Sequence, residues 1–242
     1  MDINSTDFLQ QLKAGTYDFL DLGCSNGGSI DFAVRQLGGK RGAGVDIDPA
    51  KVALARAAGH EAYVADALSL GTAPKAVEFV TMLDFLEHLP GYEAARRCIA
   101  AAHTLSRNFV FIRQPWFDAD GYLLAHGLKL YWSDWTGHTN AMSSLQFHNI
   151  LSQISGPFRI YGRGRIHNSA HPAVHSLSSP IDQQNWQVGT HPPKPYIEFE
   201  RPIYQQIACV IARPGYNVLD IESKLPVDDV LFDGLNNHMQ AR

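Results

Sequence analysis

A short apolar run that breaks into a glycine-rich turn constrains the fold of this chain more than any other feature. The apolar run covers residues 19–22, and the turn after it holds Gly23, Gly27 and Gly28. From Ile30 onward, apolar residues recur at helical spacing. A strand, a glycine turn and a helix in this order let a ligand approach the backbone and meet the free N–H groups of the helix start. The pattern therefore predicts a site for a nucleotide-like cofactor.

Three interpretations of this turn compete. The dinucleotide-binding fingerprint is excluded, because the turn lacks the G-x-G-x-x-G spacing that fits a pyrophosphate. A nucleophile elbow stays open, because Gly23, Ser25 and Gly27 satisfy G-x-S-x-G and would make Ser25 the nucleophile of a hydrolase. The third interpretation rests on Asp21, Gly23 and Gly27. Their spacing resembles the first motif of the class I S-adenosylmethionine-dependent methyltransferases.

Three further motifs follow in the order that this family shows. Asp46 lies near the end of a second apolar strand, Asp66 follows a third, and the segment 84–90 follows a fourth. That segment, Asp-Phe-Leu-Glu-His-Leu-Pro, resembles the segment that follows this strand in the family. The resemblance, to the Rossmann-like type 11 and type 23 methyltransferase domains of this class, covers about residues 15–165.

The resemblance implies S-adenosyl-L-methionine as the cofactor. It places Asp46 against the ribose hydroxyls and Asp66 near the adenine amino group. The full set of residues expected to bind the cofactor is Asp21, Gly23, Cys24, Gly27, Asp46, Ile47, Asp66, Ala67, Leu83 and Asp84.

Strands that alternate with helices along the chain predict an α/β fold with a doubly wound, mostly parallel sheet. The resemblance implies seven strands, with the last one antiparallel between its neighbours. We expect one methyltransferase domain at 1–213, followed by a C-terminal tail at 214–242. A long insertion, 167–202, separates the last two strands, and residues 116–140 form a second insertion. Connections of this length usually bind or cap something.

Aromatic and polar residues alternate in the segment 116–140, just after the fifth predicted strand. Side chains at the carboxyl end of a strand are well placed to line a ligand pocket. We therefore predict that Trp116, Tyr122, Tyr131 and Trp132 bind the methyl acceptor. The alternative is a small hydrophobic cluster packed under a long loop.

The expected reaction is methyl transfer to a small molecule, with a hydroxyl of a sugar or another polar metabolite as the acceptor. A hydroxyl acceptor benefits from a general base, and histidine titrates near neutral pH. His138, in the aromatic segment, and His88, after the fourth strand, are the predicted catalytic residues. The alternative for either is an inert, hydrogen-bonded imidazole at a helix start.

A metal site is an alternative that we do not favour from the sequence. Asp84, Glu87 and His88 would share one face of a helical turn, and carboxylates with an imidazole can bind a divalent ion. The segment resembles the Glu-x-x-Glu-His of metal-dependent RNA 3′-end methyltransferases and of ubiquinone-pathway O-methyltransferases, with His138 as a fourth ligand. Because the first position here is Asp, the expectation is a site without metal. A metal-assisted RNA-end methyltransferase remains an alternative function.

Charge and composition bear on the partners. The net charge is −4 and the chain has no run of lysine or arginine, which argues against nucleic acid as a binding partner. The three cysteines are scattered and no apolar stretch reaches about 18 residues, so we expect a cytoplasmic protein without a membrane segment. The C-terminal tail could pack against a second subunit in a homodimer, or it could be frayed, and the sequence leaves both possibilities open. A catalytically silent cofactor-binding or scaffold protein is the alternative from another functional class.

Overall fold

The structure, a computed structural model, describes residues 5–235. Residues 1–4 of the expected domain and 236–242 of the expected tail lie outside the described residues. The α-helices are α1 (Ser5–Lys13), α2 (Gly28–Phe32), α3 (Pro49–Ala57), α4 (Tyr92–Leu105), α5 (Asp120–Ala125), α6 (Ser144–Leu151) and α7 (Val218–Glu222). The strands are β1 (Phe19–Leu22), β2 (Gly42–Asp46), β3 (Glu61–Val64), β4 (Val77–Leu83), β5 (Ser106–Pro115), β6 (Leu128–Leu130), β7 (Phe158–Asn168), β8 (Val174–Ser176), β9 (Glu198–Ala212) and β10 (Asp229–Gly234). A π-helical turn, Ala33–Leu37, continues α2, and short 3₁₀ helices cover Ala67–Thr72 and Leu86–His88.

The central sheet confirms the predicted α/β class. Its strand order is β3-β2-β1-β4-β5-β9-β7-β10, and the five strands β1 to β5 run parallel to one another. Strand β9, the last of the expected seven, lies antiparallel between β5 and β7, as the resemblance implied. The carboxyl ends of the parallel strands therefore meet at one edge of the sheet, where open α/β folds bind their ligands.

The sheet has eight strands rather than the seven expected, because the chain after residue 214 returns to it. Strand β10 pairs antiparallel with β7 and becomes the new edge. Arg159 on β7 holds this segment with two ion pairs, to Glu222 at 2.5 Å and to Asp233 at 2.6 Å. The sequence did not predict this strand, because its partner lies about 70 residues earlier in the chain.

Apolar residues cover both faces of the sheet, as a doubly wound fold requires. On one face Phe19, Phe79 and Phe109 stack along β1, β4 and β5, with ring centroids 5.1 Å and 4.9 Å apart. On the other face Leu20 and Val80 belong to a second buried cluster. No helix within residues 5–235 combines the length and apolar character needed to cross a bilayer.

The two insertions form one unit, which we call the cap (residues 116–140 and 167–202). Strand β6 of the first insertion pairs antiparallel with β8 of the second, with Lys129 opposite His175. Asp182 of the second insertion also accepts hydrogen bonds from the backbone N–H and the hydroxyl of Thr136, at 2.7 Å and 2.6 Å. The first insertion follows the end of β5, and the second begins at the end of β7. Both strand ends lie at the carboxyl edge of the parallel strands, so the cap lies at the edge where open α/β folds bind their ligands.

Candidate active site

The glycine turn after β1 has a backbone that only glycine adopts without strain. Gly23 and Gly27 have φ angles of +76° and +98°, in the left-handed region. A Cβ on Gly23 would lie 2.2 Å from the Phe85 ring, and a Cβ on Gly27 would lie 2.2 Å from the imidazole of His60. Both glycines are therefore needed for the backbone path of the turn as well as for close approach of a ligand.

Asp21 on β1 lies beneath the turn, fully buried. Thr81 donates a 2.6 Å hydrogen bond to one carboxylate oxygen, and the hydroxyl of Ser29 donates to the other. Burial raises the pKa of Asp21 to about 7, against the lowering effect of these two donors. Through Ser29 the carboxyl group connects β1 to the start of α2, so it supports the turn from below.

Asp46, at the end of β2, organises the turn from the other side. One carboxylate oxygen accepts the backbone N–H of Ser25 at 3.0 Å, and the other accepts the backbone N–H of Asp48 at 3.0 Å. The carboxylate thus holds two loops at neighbouring strand ends while it lines a cavity.

Two adjoining cavities open around the turn. The first is lined by Gly23, Cys24, Ser25, Asn26, Gly28, Ser29, Phe32, Arg35, Gln36, Leu83, Asp84 and Arg113. The second is lined by Gly23, Ser25, Val45, Asp46, Ile47, Lys51, Ala65, Asp66, Ala67, Leu68, Asp84, Phe85, His88 and Leu89. Eight of the ten predicted cofactor residues line one or both cavities, and the two that do not are Asp21 and Gly27. We call the pair the cofactor cavities.

Asp84 lies where these cavities meet a third. Its φ of +51° places a non-glycine residue in the left-handed region. Arg113 at the end of β5 forms a 2.5 Å ion pair with one carboxylate oxygen, and Gln206 of β9 donates to the other at 3.0 Å. Arg163 of β7 in turn donates to the side-chain oxygen of Gln206. This chain of contacts links the turn after β4 to β5, β9 and β7, and it holds Asp84 in its strained conformation.

The third cavity, which we call the acceptor cleft, has a volume of about 450 Å³. It is lined by Asp84, Glu87, His88, Pro115, Tyr131, Trp132, Trp135, His138, Arg163, Gln184, Gln205 and Gln206. It therefore includes both predicted catalytic histidines. One wall comes from the cap and the other from the strand ends.

Of the four predicted acceptor residues, Tyr131 and Trp132 line the cleft and Trp116 and Tyr122 do not. Trp116 is buried against Tyr204, with ring centroids 5.0 Å apart. Tyr122 packs instead on Phe199 from the second insertion. The packing-cluster alternative therefore describes these two residues, because the start of the insertion lies against β9 before the chain turns toward the cleft.

Glu87, His88 and His138 converge at one end of the acceptor cleft. One potential ligand atom from each lies within 4.8 Å of the other two. Glu87 is 1% exposed, and its Oε2 atom has no hydrogen-bond partner among the described residues. Burial, and then the nearby Asp84 carboxylate, raise the pKa of Glu87 to about 8. Asp84, the first member of the metal set considered from the sequence, is engaged by Arg113 and Gln206 instead.

Each of the two imidazoles is held by a backbone carbonyl. Nδ1 of His88 lies 2.8 Å from the oxygen of Gly137, and Nδ1 of His138 lies 2.8 Å from the oxygen of Trp132. A carbonyl oxygen can only accept, so each Nδ1 carries a proton and each neutral imidazole keeps its lone pair on Nε2. Burial lowers the pKa of His138, which favours this neutral form.

The loop that carries His138 is fastened to the turn that carries Glu87. The backbone N–H of Asn140 donates to the Glu87 carbonyl at 3.0 Å, and its side-chain amide donates to Leu86 at 3.0 Å. Thr139 donates to the carbonyl of Leu89 at 2.8 Å. These bonds fix the distance between the cap and the cofactor side of the cleft.

Arg113, Gln206 and Trp135 are among the residues of this region that sequence reasoning missed. Arg113 directly follows the strongly apolar part of β5, so the rule that ligands bind at strand carboxyl ends could have found it. Trp135 belongs to the aromatic segment, but the sequence pattern does not indicate that Trp135 lines the cleft while Trp116 is packed in the core. Gln206 carries no signal in the sequence, since its role depends on the antiparallel pairing of β9.

The comparisons with known proteins agree with this geometry. Residues 20–108, from the second residue of β1 through β4 and into β5, match the family model described as a methyltransferase domain. No curated protein sequence gives a significant match.

Solved structures share the fold at low sequence identity. A SAM-dependent methyltransferase from Archaeoglobus fulgidus is 16% identical with a TM-score of 0.55, over 85% of this chain and 94% of that one. A possible histamine N-methyltransferase from Thermotoga maritima is 12% identical with a TM-score of 0.52, over 85% and 89%. Magnesium protoporphyrin IX methyltransferase from Synechocystis with bound SAH is 14% identical with a TM-score of 0.50, over 88% and 89%.

The turn that could have served as a nucleophile elbow is thus the first motif of a methyltransferase domain, and the hydrolase interpretation of Ser25 is abandoned. Residues 20–108 thus match a methyltransferase domain, and the sheet order and glycine turn are those of the fold that solved S-adenosylmethionine-dependent methyltransferases share.

Proposed function

We propose that this enzyme transfers the methyl group of S-adenosylmethionine to a hydroxyl of a small polar molecule bound in the acceptor cleft. The observation that carries the proposal is the position of Asp84, which lines both cofactor cavities and the acceptor cleft. His88 likewise lines the second cofactor cavity and the cleft. A cofactor in the first two cavities would therefore face an acceptor in the third across these two side chains.

The reaction is an in-line displacement at the sulfonium methyl group. The bond from sulfur to the methyl carbon breaks as the bond from the acceptor oxygen forms, leaving S-adenosylhomocysteine, a methyl ether and one proton. Alignment of the two reactants supplies up to about 7–11 kcal/mol of the barrier in well-oriented systems. The hydrogen bonds that fasten Thr139 and Asn140 to the turn at 86–89 support such alignment, because they hold both sides of the cleft.

The lining of the cleft supports a small, polar, ring-containing acceptor. Tyr131 and Trp135 offer flat apolar surfaces, and Arg163, Gln184 and Gln205 offer polar groups around them. Aromatic faces with a few convergent polar side chains are typical of small-molecule sites, and about 450 Å³ is within their usual size range. A sugar or a related polyhydroxylated metabolite has this chemistry.

The proton of the acceptor hydroxyl would leave at the end of the cleft formed by His88 and His138. With Nδ1 donating to Gly137 or Trp132, the neutral form of each imidazole has its lone pair on Nε2. A positioned base of this kind contributes about 10²–10⁴-fold to a rate. The net charge of −4 supports a small acceptor over RNA. Residence in the cytoplasm and homodimer formation stay predictions of the sequence.

Turnover of methyl-labelled S-adenosylmethionine with a panel of sugars and hydroxylated metabolites, and in parallel with short RNAs, tests the proposal. We expect label in a small hydroxylated acceptor, loss of transfer in His138→Ala, and cofactor affinity within about threefold of wild type in that variant. Label found only in RNA, or on a nitrogen or carbon atom of the acceptor, would contradict it.

A further inference from the structure

We propose that Glu87, His88 and His138 form a binding site for one divalent transition-metal ion, with Zn²⁺ as the best match, inside the acceptor cleft. The site itself stands on the geometry below, whereas its catalytic use rests on the proposed function of the cleft.

Glu87, His88 and His138 form a set of side chains that can bind a metal ion. Two imidazoles and one carboxylate come from two segments of chain, the turn after β4 and the loop at 137–140. This combination is the donor set of catalytic zinc sites, which use three protein ligands and keep a further position open. Metal-to-ligand bonds of about 2.0–2.2 Å separate tetrahedral ligand atoms by roughly 3.4 Å. Side-chain adjustments of roughly 1 Å would therefore bring the three atoms, now within 4.8 Å of one another, to bonding distance.

The two imidazoles are oriented as metal ligands usually are. Histidines that bind metals usually donate the other ring N–H to a carboxylate or a backbone carbonyl, which fixes the tautomer and the ring. His88 does so toward Gly137 and His138 toward Trp132, both at 2.8 Å. Two histidines in one cleft are thus both fixed in the tautomer that binds a metal through Nε2.

The third ligand of the set is the carboxylate of Glu87. Glu87 is 1% exposed, lines the cleft, and has a buried Oε2 atom without a partner among the described residues. A buried carboxylate oxygen without a donor is costly, and a cation at this position would satisfy it. Asp84 adds negative charge next to the site while remaining bound to Arg113.

The ion would give the cleft a direct way to activate a hydroxyl. A hydroxyl oxygen that occupies the open position of the ion loses its proton more readily, just as metal-bound water does. The proton passes to solvent, the oxygen takes the methyl group, and no electron transfer is involved. With the ion bound, His88 and His138 would act as its ligands rather than as a base, and the ion would promote loss of the hydroxyl proton to solvent as a Lewis acid.

Metal binding can be measured without turnover. The chelator-treated protein is titrated with ZnCl₂ in a calorimeter, and with CoCl₂ while the visible absorption bands of Co²⁺ are recorded. We expect one equivalent to bind, and affinity to fall roughly tenfold or more in Glu87→Gln and in His138→Asn. His167→Asn, a replacement on an exposed part of β7 outside the cleft, is the matched control and should bind like wild type. S-adenosylmethionine binding by each variant checks that it is folded.

Failure of wild type to bind either ion stoichiometrically would overturn the metal site, as would unchanged affinity in both folded variants. Methyl transfer to a hydroxyl by the metal-free protein at the full rate would reject the catalytic use of the ion and leave the proposed function intact. Stoichiometric metal without transfer to any hydroxylated acceptor would instead reject the proposed function and leave the metal site intact.

Discussion

Nδ1 of His88 donates a hydrogen bond of 2.8 Å to the carbonyl oxygen of Gly137, 49 residues further along the chain. This contact joins the turn after β4, which borders the cofactor cavities, to the insertion that covers the acceptor cleft. It also brings the imidazole of His138, the next residue, to a ring-centroid distance of 5.1 Å from that of His88. This hydrogen bond within the protein therefore fixes the position of the acceptor cleft relative to the cofactor cavities.

Asp46→Ala should weaken S-adenosylmethionine binding by about 1–3 kcal/mol, or roughly 5- to 150-fold. The substitution removes the predicted acceptor for the ribose hydroxyls and frees the backbone N–H groups of Ser25 and Asp48. Titration calorimetry measures the affinity. Asp48→Ala is the control, because it removes only the N-cap of α3 and should cost about 1 kcal/mol of folding stability with affinity within threefold. Equal affinities in the two variants would contradict the assignment of Asp46.

Gly23→Ala should reduce cofactor affinity at least tenfold and lower the melting temperature. A left-handed φ of +76° costs about 1–2 kcal/mol for a residue with a Cβ, and this Cβ would lie 2.2 Å from the ring of Phe85. Gly121→Ala, in α5, has open space around its Cβ and should be neutral or slightly stabilising. Calorimetry gives the cofactor affinity of both variants, and thermal melts give their stability. A Gly23→Ala protein with normal cofactor affinity would show that the turn can accept a side chain at this position.

Stability should depend on pH through Asp21, whose pKa burial raises to about 7. Between about pH 4 and pH 7 the folded protein keeps this proton while the unfolded chain, with a pKa near 3.9, has lost it. The contribution of Asp21 to the free energy of unfolding therefore falls as the pH rises through this window, and levels off above it. Asn at position 21 cannot titrate. The melting temperature of Asp21→Asn minus that of wild type should therefore increase from pH 4 to pH 7. A difference between the two that is independent of pH would show that Asp21 is ionised in the folded protein.

Trp135→Ala should raise the KM for the acceptor about fivefold, with a smaller change in kcat. Trp135 lines the acceptor cleft, and loss of one aromatic contact is worth about 1 kcal/mol. Trp186→Ala is the matched control, because Trp186 belongs to the same cap but packs on Lys194 away from the cleft lining. Steady-state kinetics with the acceptor identified in the turnover screen gives both constants. If Trp186→Ala shifted KM as much as Trp135→Ala, the cleft would not be the acceptor site.

The grouping of Gly23, Asp46 and Asp66 around the cofactor cavities could be predicted from the sequence because its signals are local. The strand, the glycine turn and the helix start are contiguous, and Asp46 lies at the end of the next strand. In a parallel sheet the carboxyl ends of neighbouring strands meet at one edge, so short motifs at those ends are brought together by the fold class itself. Asp66 reaches the same cavity for the same reason.

The acceptor half could be predicted only in part, because it depends on contacts between distant segments. Trp116 and Trp135 look alike in sequence, yet Trp116 packs on Tyr204 of β9 and Trp135 faces the cleft. The pairing of β6 with β8 and the added strand β10 likewise leave no periodic signal that names the partner strand. The resemblance allowed Glu87 and His138 to come together, but only the tertiary structure shows that Asp84 is bound by Arg113 instead.

A crystal structure of the protein with S-adenosylmethionine, or with S-adenosylhomocysteine in its place, tests the central claim most directly. The account predicts the adenosine beside Asp46 and Ala67, the methionine portion beside Ser29, and the sulfur next to Asp84. The methyl group, or the open side of the sulfur, should point into the acceptor cleft toward His138. A cofactor whose sulfur faces away from that cleft, or one bound outside the cofactor cavities, would contradict the account.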